Sequence, residues 1–453
     1  NYTMSQLYLL LHISLLFTAI SSNHLNQWKD ATNHMSPRTN YGEAKLRHVN
    51  QALIFGGHTD EGIQNDLWLI SHKHNETTAT DSYSVLLTPL ETNISPPIRI
   101  DSSFTGVTSN HALLFGGINT TRKQNPISMN DVWLLEYTNT LEKTAHWSQL
   151  AANVTVVARH QHKSVLLPTK SNSEHATLLI FGGRNGHLLY PKTELMLLNY
   201  KLKTVSTKIV PTTTSTSPAP RSNHVLVRLP GQGRSVVLFG GLGKNKHIFD
   251  DTWLYNPNSS SWKKIQVAMN GMKGRYDFGA SALNSVKLFI FGGKETTGFT
   301  ARAGDILTID ASTGTGYWNA SSTDDTKQPQ QSSSMVPSYR EGFSLISFLA
   351  ANRSLYEANV FLYGGWNDAN FLDTAYLYSG TTQEWVLLDM PSTNEPLKRS
   401  AHDMAELNGN TNSVVLMGGA TTTELNGGIT NDVWEYLTDI NKWQKQIDYS
   451  SIN

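Results

Sequence analysis

The chain has 453 residues, no cysteine, a formal net charge of zero and a charged fraction of only 16%. Without cysteine, the chain has no disulfides, no thiolate chemistry and no cysteine-based zinc site. The balanced and sparse charge argues against a general binder of nucleic acid or anionic membrane, since both partners attract a basic surface.

The first element in chain order is an apolar run over residues 7–20, with the small residues Ala19 and Ser21 two apart at its end. The run is short for a bilayer span, and no second hydrophobic stretch follows it in the mature chain. It therefore predicts a secretory signal peptide over residues 1–21, although no basic residue precedes the run. If Met4 is the start residue, the first three residues are translated upstream sequence.

N-glycosylation sequons support the same prediction, because seven of them follow the signal-like run. A large core needs no disulfide staples, so a secreted chain without cysteine is consistent. The sequon asparagines are Asn75, Asn93, Asn119, Asn153, Asn258, Asn319 and Asn352.

A short apolar run that ends in two glycines occurs seven times along the chain, at intervals of 52 to 72 residues. Each run predicts a buried strand ending in a tight turn, where glycine supplies positive φ or a close backbone approach. A period of this length indicates a repeat architecture. The glycines are Gly56 and Gly57, Gly116 and Gly117, Gly182 and Gly183, Gly240 and Gly241, Gly292 and Gly293, Gly364 and Gly365, and Gly418 and Gly419.

The fourth repeat shows the whole unit most clearly. Its pattern predicts four strands, over residues 220–227, 236–241, 250–255 and 261–265, with turn residues between them. Four short strands cannot bury both faces of their sheet alone, whereas seven such sheets packed around an axis can. Tryptophan recurs on the outer strand at Trp147, Trp262, Trp318, Trp385 and Trp443, and residues 82–86 and 205–209 take its place in repeats one and three.

These glycine pairs, downstream aromatics and outer tryptophans resemble Kelch repeats over residues 36–447. The resemblance implies an all-β, seven-bladed β-propeller of four-stranded antiparallel blades. The Asp-x-Trp motif on the third strand and the long repeats are closest in style to extracellular, attractin-like Kelch propellers.

Ring closure stays open at this stage. The seventh repeat carries its own outer strand at Trp443, but Gln27-Trp28-Lys29 in the N-terminal segment 22–35 also resembles an outer strand. That segment would replace or supplement the last strand of the ring. Residues 448–453 form a C-terminal tail.

An arginine opens each repeat, which suggests two roles. A ring of guanidinium groups would suit an acidic ligand, whereas pairing with the acidic residue of each third strand would make the ring structural. A feature shared by every repeat favours the structural role. The arginines are Arg38, Arg99, Arg159, Arg221, Arg275, Arg340 and Arg399, and the expected partners are Asp66, Asp131, Glu194, Asp251, Asp305, Asp373 and Asp432.

No residue pattern predicts catalysis, a metal or a cofactor. His160 and His162 are two apart, but core or turn packing is the favoured interpretation. Some Kelch-like propellers are enzymes; galactose oxidase-like copper chemistry needs a cysteine, and the chain has none. The loop aromatics Trp366 and Phe371 are candidate contact residues.

The sequence thus predicts a secreted, non-catalytic Kelch module that binds an extracellular protein through loops on one face. One alternative is lectin-like binding of an acidic glycan through the arginines and loop aromatics. The other is a cysteine-independent carbohydrate enzyme, because fold alone does not choose between functions.

Overall fold

The computed structural model describes residues 35, 39–47, 49, 51–59, 62–75, 82–121, 126–139, 143–150, 156–168, 173–211, 217–230, 235–268, 272–295, 298–299, 305–310, 313–320, 336–348, 358–367, 370–388, 396–408, 412–421, 428, 430, 432–437 and 442–447. This part of the chain forms seven β-sheets of four or five strands, called blades 1 to 7, three two-stranded ribbons beside them, and one short 3₁₀ turn at Lys244–Lys246. Arg38, the domain segments 1–21 and 448–453, and the Gln27-Trp28-Lys29 stretch lie outside the described residues.

The strands follow chain order through the blades. Blade 1 has β1 (Gly42–Lys45), β2 (Gln51–Thr59), β3 (Gly62–Asn75) and β4 (Ser82–Pro89). Blade 2 has β5 (Glu91–Thr92), β6 (Ser103–Gly106), β7 (His111–Phe115), β8 (Ile118–Asn119), β9 (Ile127–Ser128), β10 (Val132–Asn139) and β11 (Thr144–Gln149). Blade 3 has β12 (His160–Leu166), β13 (His175–Asn185), β14 (Leu188–Leu189), β15 (Thr193–Asn199) and β16 (Thr204–Ile209). Blade 4 has β17 (Val225–Arg228), β18 (Val236–Phe239), β19 (Thr252–Asn256) and β20 (Ser261–Lys264).

The remaining three blades complete the ring. Blade 5 has β21 (Gln266–Ala268), β22 (Gly279–Ala282), β23 (Lys287–Phe291), β24 (Lys294–Glu295), β25 (Gly298–Phe299), β26 (Asp305–Asp310) and β27 (Thr315–Ala320). Blade 6 has β28 (Ser344–Phe348), β29 (Asn359–Tyr363), β30 (Ala375–Tyr378) and β31 (Trp385–Leu387). Blade 7 has β32 (Arg399–Ser400), β33 (Asp403–Asn408), β34 (Asn412–Met417), β35 (Ala420–Thr421), β36 (Val433–Leu437) and β37 (Lys442–Ile447).

The predicted seven-bladed propeller is confirmed. Every blade has four antiparallel strands in sequence order, and the innermost strands lie side by side from β1 in blade 1 to β33 in blade 7. Two blades differ from the prediction, because β5 and β21 each add a short parallel strand outside the fourth one.

The core lies between the blades rather than within each sheet. Seven clusters of buried apolar side chains each join two neighbouring blades, and the last of them joins blade 7 to blade 1. Each outer-strand tryptophan packs against the preceding blade: the ring centroids of Trp318 and Phe239 are 4.8 Å apart, and those of Trp147 and Phe55 are 5.1 Å apart. The aromatic before the glycine pair and the outer tryptophan are therefore two halves of one contact.

Ring closure uses no exchanged strand among the described residues. β37, which carries Trp443, is the outer strand of blade 7, and all four main strands of blade 1 precede Leu90. Blade 7 meets blade 1 through face-to-face packing, in which β33 contacts β2 and the Tyr41 hydroxyl donates to the Met417 carbonyl over 3.4 Å. The Trp443 strand thus completes blade 7, whereas the Gln27-Trp28-Lys29 stretch lies outside the described residues.

Each glycine pair forms a turn at or near the end of the second strand of its blade, and in blades 1 to 6 this turn contacts the next blade. The first glycine has φ between 63° and 67°, and the second has φ between 89° and 103°. In blade 4, the Gly241 N–H donates to the carbonyl of Arg275 in blade 5 over 2.8 Å. A Cβ on Gly240 would lie only 2.5 Å from the same carbonyl oxygen, so this turn needs glycine for space as well as for φ.

Candidate functional site at the channel mouth

In repeats two to seven, the arginine is buried inside its blade. In blade 4, the Arg221 guanidinium donates to the Ala219 and Gly240 carbonyls, each over 3.0 Å. It also makes a two-pronged ion pair with Asp251, at 2.5 and 2.9 Å. The side chain thus joins the entry of the first strand, the end of the second and the start of the third. Burial alone would raise the pKa of Asp251, but the hydrogen bonds and charge of Arg221 outweigh burial and lower it.

In four other blades the arginine also pairs with an acidic residue of the third strand, through two prongs in blades 2 and 7 and through one hydrogen bond in blades 3 and 5, which supports the structural interpretation for them. The shortest nitrogen–oxygen distances lie between 2.6 and 2.8 Å, and all six described arginines are at most 1% exposed. A ligand outside the fold has no access to these groups, so they do not form a ligand face. The pairs are Arg99–Asp131, Arg159–Glu194, Arg275–Asp305 and Arg399–Asp432.

Blade 6 is the exception, and the predicted Arg340–Asp373 pair is wrong. Arg340 donates instead to the Gly364 carbonyl over 3.0 Å and to the Thr374 hydroxyl over 3.1 Å. The strand register explains the difference: Ala375 pairs with Tyr363, so Thr374 takes the position that Asp251 has in blade 4. Asp373 faces solvent, and burial without a carboxylate partner lowers the pKa of Arg340 to about 10.

We expect Thr374→Asp to stabilise the protein. The new carboxylate would face the buried Arg340 guanidinium, as the aspartates of the other blades do, and a gain of about 1–2 kcal/mol in the free energy of unfolding follows. Thermal unfolding measures it. Asp373→Asn is the control, because it removes only an exposed 3.7 Å pair with Lys398 and should change little. A lower Tm for Thr374→Asp would contradict this explanation of blade 6.

A second repeated feature lies where each blade meets the central channel. The residue two after each arginine has φ between 53° and 60°, and it lies at the start of the innermost strand or two residues before it. Seven turns of nearly identical backbone therefore surround one end of the channel, which we call the channel mouth. Their side chains differ from blade to blade: the residues are Asn40, Asp101, Gln161, Asn223, Asp277, Gly342 and Ala401.

Two of the seven turn residues at the mouth are acidic. Asp101 and Asp277 come from the turns, and Lys163 on β12 lies near enough to lower the pKa of both carboxyls. Burial is the larger effect and raises the pKa of Asp101 and of Asp277, although Asp277 keeps contact with solvent. Glu341, which pairs with Lys294, raises the pKa of Asp277 further by its charge.

Two more carboxyls stand deeper, on the innermost strands of blades 1 and 7. Burial raises the pKa of Asp403 to about 6, against a hydrogen bond from Ser344. Burial and the charge of Asp403 raise the pKa of Glu43. The pKa of Asp277, like that of Asp403, is raised to about 6, so the negative charge of the mouth grows as the pH rises through that value.

The two candidate aromatics lie at the same end of the propeller. Trp366 and Phe371 are half-buried in the loop that follows Gly365, and their backbones form a bridge. Trp366 also exchanges two backbone hydrogen bonds with Glu341, over 2.8 and 2.9 Å. The sequence therefore named contact residues beside the mouth but missed Asp101, Asp277 and Glu341.

The predicted packing role of the histidines is confirmed. His160 bonds the Ser128 hydroxyl over 3.0 Å, and His162 bonds the Ser103 hydroxyl over 2.9 Å, so both contact blade 2. Burial lowers the pKa of His160 to about 4, which keeps the ring neutral. No group of three or more acidic or histidine side chains in the described part of the chain is arranged to hold a metal. In the same part, no helix is long and apolar enough to span a membrane.

The sequon asparagines occupy different environments. Asn258 and Asn319 are exposed, and Asn119 accepts hydrogen bonds from the Thr121 N–H and hydroxyl. Asn93 is engaged by the fold, because its amide makes two hydrogen bonds to the Trp147 backbone, over 3.0 and 3.3 Å. Asn75 ends β3, and the other two sequon asparagines, Asn153 and Asn352, lie outside the described residues.

Comparison with known proteins places this geometry in a family. The KLHDC2/KLHL20/DRC7 Kelch-repeats domain matches residues 103–346 and again 233–452. The chain is 27% identical over 213 residues to the flagellar outer arm dynein alpha chain of Chlamydomonas reinhardtii, covering 44% of this chain and 4% of that protein. It is 26% identical over 192 residues to Adagio-like protein 1 of Oryza sativa, covering 41% and 26%.

A third relative is Kelch repeat-containing protein 2 of Saccharomyces cerevisiae, 27% identical over 156 residues that cover 33% of this chain and 17% of that protein. The matches thus span about a quarter or less of each relative's length. The family match, by contrast, extends over most of this chain and over blades 2 to 7 of the propeller. The chain belongs to the KLHDC2/KLHL20/DRC7 Kelch-repeats domain family.

Proposed function

We propose that this protein is a secreted, N-glycosylated, non-catalytic interaction module that binds another extracellular protein at the channel mouth. Kelch propellers are protein-binding scaffolds. We place the binding site at the channel mouth on one observation. The seven turns there share one backbone conformation, while the residue type at the same position varies between blades. A position whose backbone is fixed while its side chain varies can change its ligand without changing the fold.

The chemistry of the mouth favours a partner segment with basic side chains. Asp101 and Asp277 supply negative charge at the surface, and Trp366 offers an aromatic anchor next to Glu341. The turns are already ordered, so binding costs little conformational entropy. An acidic glycan is the poorer ligand, because the arginines that would bind it are buried in ion pairs.

The extracellular setting, and with it the attractin-like placement within the family, rests on the sequence. The signal-like run over residues 7–20 and the seven sequons support it. Exposed sequon asparagines such as Asn258 and Asn319 are accessible to a glycan in the folded protein.

The experiment is a binding screen of the secreted protein against extracellular protein domains and an acidic-glycan array at two salt concentrations. We expect capture of a protein domain, loss of capture with Asp277→Lys, and unchanged thermal unfolding. Charge reversal should weaken binding by about 1–3 kcal/mol if the partner presents a basic group to Asp277. Glu384→Lys is the matched control, because Glu384 is an exposed carboxylate in the Ser379–Glu384 turn of the β30–β31 hairpin.

Two results would contradict the proposal. One is capture of acidic glycans alone. The other is protein capture that Asp277→Lys leaves intact while Glu384→Lys removes it, which would move the interface to the opposite face of the propeller.

A further inference from the structure

Blade 5 exposes an aromatic side chain beside a shallow cavity. Tyr317 on β27 is 50% exposed, and Val286 in the nearby β22–β23 hairpin is 40% exposed. Both line a cavity of about 320 Å³ at the end of the blade away from the channel mouth. Thr308, Ile309, Asp310, Thr315 and Gly316 complete its lining. The cavity thus combines an exposed aromatic ring with hydroxyl and carboxylate groups, as a sugar-binding surface does.

A glycosylation sequon lies on the same face of the same strand. Side chains two apart in a strand share a face, and on β27 Tyr317 and Asn319 are exposed while Trp318 between them is 1% exposed. Their Cα atoms are about 7 Å apart from the rise of a strand, which is the length of one to two sugar rings. The sequon is Asn319-Ala320-Ser321.

Two other described sequons, at Asn93 and Asn258, lack this arrangement. The Asn93 amide is bonded to the Trp147 backbone. Asn258 is exposed in the tight turn between β19 and β20, and the described strands of blade 4 carry no exposed large apolar side chain. Asn119 shares with Asn319 an exposed apolar neighbour. It pairs with Ile127 on the adjacent strand, and the Ile127 side chain is 54% exposed.

We propose that an N-linked glycan on Asn319 folds back along β27 and packs its first sugar residues over Tyr317 and into the neighbouring cavity. This inference rests on the proposed passage through the secretory pathway. In the attachment step, Nδ2 of Asn319 forms a bond to C1 of the oligosaccharide, and the bond from C1 to a lipid-linked pyrophosphate breaks. The pyrophosphate leaves on its lipid carrier, Nδ2 loses one proton to solvent, and the primary amide becomes a secondary amide with one N–H.

The docked sugar can contact both the apolar and the polar side chains that line the cavity. Its apolar C–H face covers the Tyr317 ring and the Val286 side chain, which removes apolar surface from water. Its hydroxyls point towards Thr308, Asp310 and Thr315, which can donate or accept hydrogen bonds. A glycan held in this way is a part of the folded surface and stabilises blade 5.

The test is a double-mutant cycle on the protein secreted from mammalian cells. Ser321→Ala removes the sequon without changing Asn319, and Tyr317→Thr removes the ring without changing the sequon. We expect Ser321→Ala to lower the Tm by about 1–3 °C in the wild type and by almost nothing in the Tyr317→Thr background. Asn258→Gln is the control, because loss of that glycan should change the Tm equally in both backgrounds.

A second measurement reports contact directly. Nitration of Tyr317, followed by peptide mass spectrometry, should be slower in the glycosylated protein than after Ser321→Ala. Additive Tm changes together with equal nitration rates would overturn the proposal. Occupancy at Asn258 with none at Asn319 would overturn it while leaving secretion intact, whereas no occupancy at any sequon would overturn both.

Discussion

We expect Gly240→Val to prevent folding into a soluble propeller. The backbone there has φ of +66°, and a Cβ would meet the Arg275 carbonyl oxygen at 2.5 Å and the Phe278 ring at 2.9 Å. The left-handed backbone costs about 1–2 kcal/mol for a residue with a side chain, and overpacking adds about 1–3 kcal/mol. The displaced carbonyl also weakens the bond from the Gly241 N–H that joins blade 4 to blade 5. Soluble yield and thermal unfolding measure the result.

Gly186→Val separates the steric cause from the conformational one. Gly186 also has a left-handed backbone, with φ of +57°, but a Cβ there would meet no atom within 4 Å. This variant should therefore fold, and its stability should fall only by the cost of placing a side chain on a left-handed backbone. Equal loss in the two variants would contradict the close-approach argument, and a normally folded Gly240→Val would contradict the structural role of the glycine pair.

The second large effect is expected for Arg221→Ala. In this variant the Asp251 carboxylate keeps one side-chain hydrogen bond, from the Trp253 indole N–H at 2.7 Å. The Gly240 carbonyl loses its hydrogen bond from the arginine. Removing one partner of a buried ion pair costs about 3–5 kcal/mol. Arg221→Lys should lose less, because an ammonium group restores the charge but not the two-pronged geometry. A Tm equal to that of the wild type would contradict the structural role.

The pH dependence of this variant gives an independent check. In the wild type, the pKa of Asp251 is lowered, so its contribution to stability is present above the unfolded pKa of about 3.9 and is lost as the pH falls below it. Without Arg221, burial is opposed only by the Trp253 hydrogen bond and the charge of Lys264, so the pKa of Asp251 rises from its wild-type position. The variant then loses less stability than the wild type as the pH falls, so the Tm difference between the two should narrow as the pH falls from 7 towards the unfolded pKa of about 3.9.

The fold could be predicted from the sequence because its repeated contacts use repeated residue types. Phe239 before the glycines and Trp318 on the next outer strand form one inter-blade contact, and both stand out in the sequence. Where a blade lacks the outer tryptophan, the preceding partner can change as well: Met417 packs against blade 1, in which Leu87 takes the place of tryptophan. The parallel strands β5 and β21 were missed because two or three residues show no alternation.

The candidate site could be predicted only in part, for the opposite reason. The seven turn positions share a backbone conformation but not one common residue type. Asp101 and Asp277 therefore resemble ordinary loop residues in the sequence. The third-strand residue that faces each arginine could be predicted from the sequence to within one residue. In blade 6 this one residue matters, because the strand register puts Thr374 at the partner position in place of the neighbouring Asp373. The position two after each arginine is the signal that would have located the mouth.

Hydrogen exchange of the free and partner-bound protein tests the central claim most directly, namely that this propeller binds at its channel mouth. The partner is the extracellular domain recovered in the binding screen. We predict that binding slows exchange in the turns over residues 98–102, 274–278 and 339–343 and in the loop over residues 366–371. Slower exchange confined to the β30–β31 hairpin and its counterparts on the opposite face would contradict the claim.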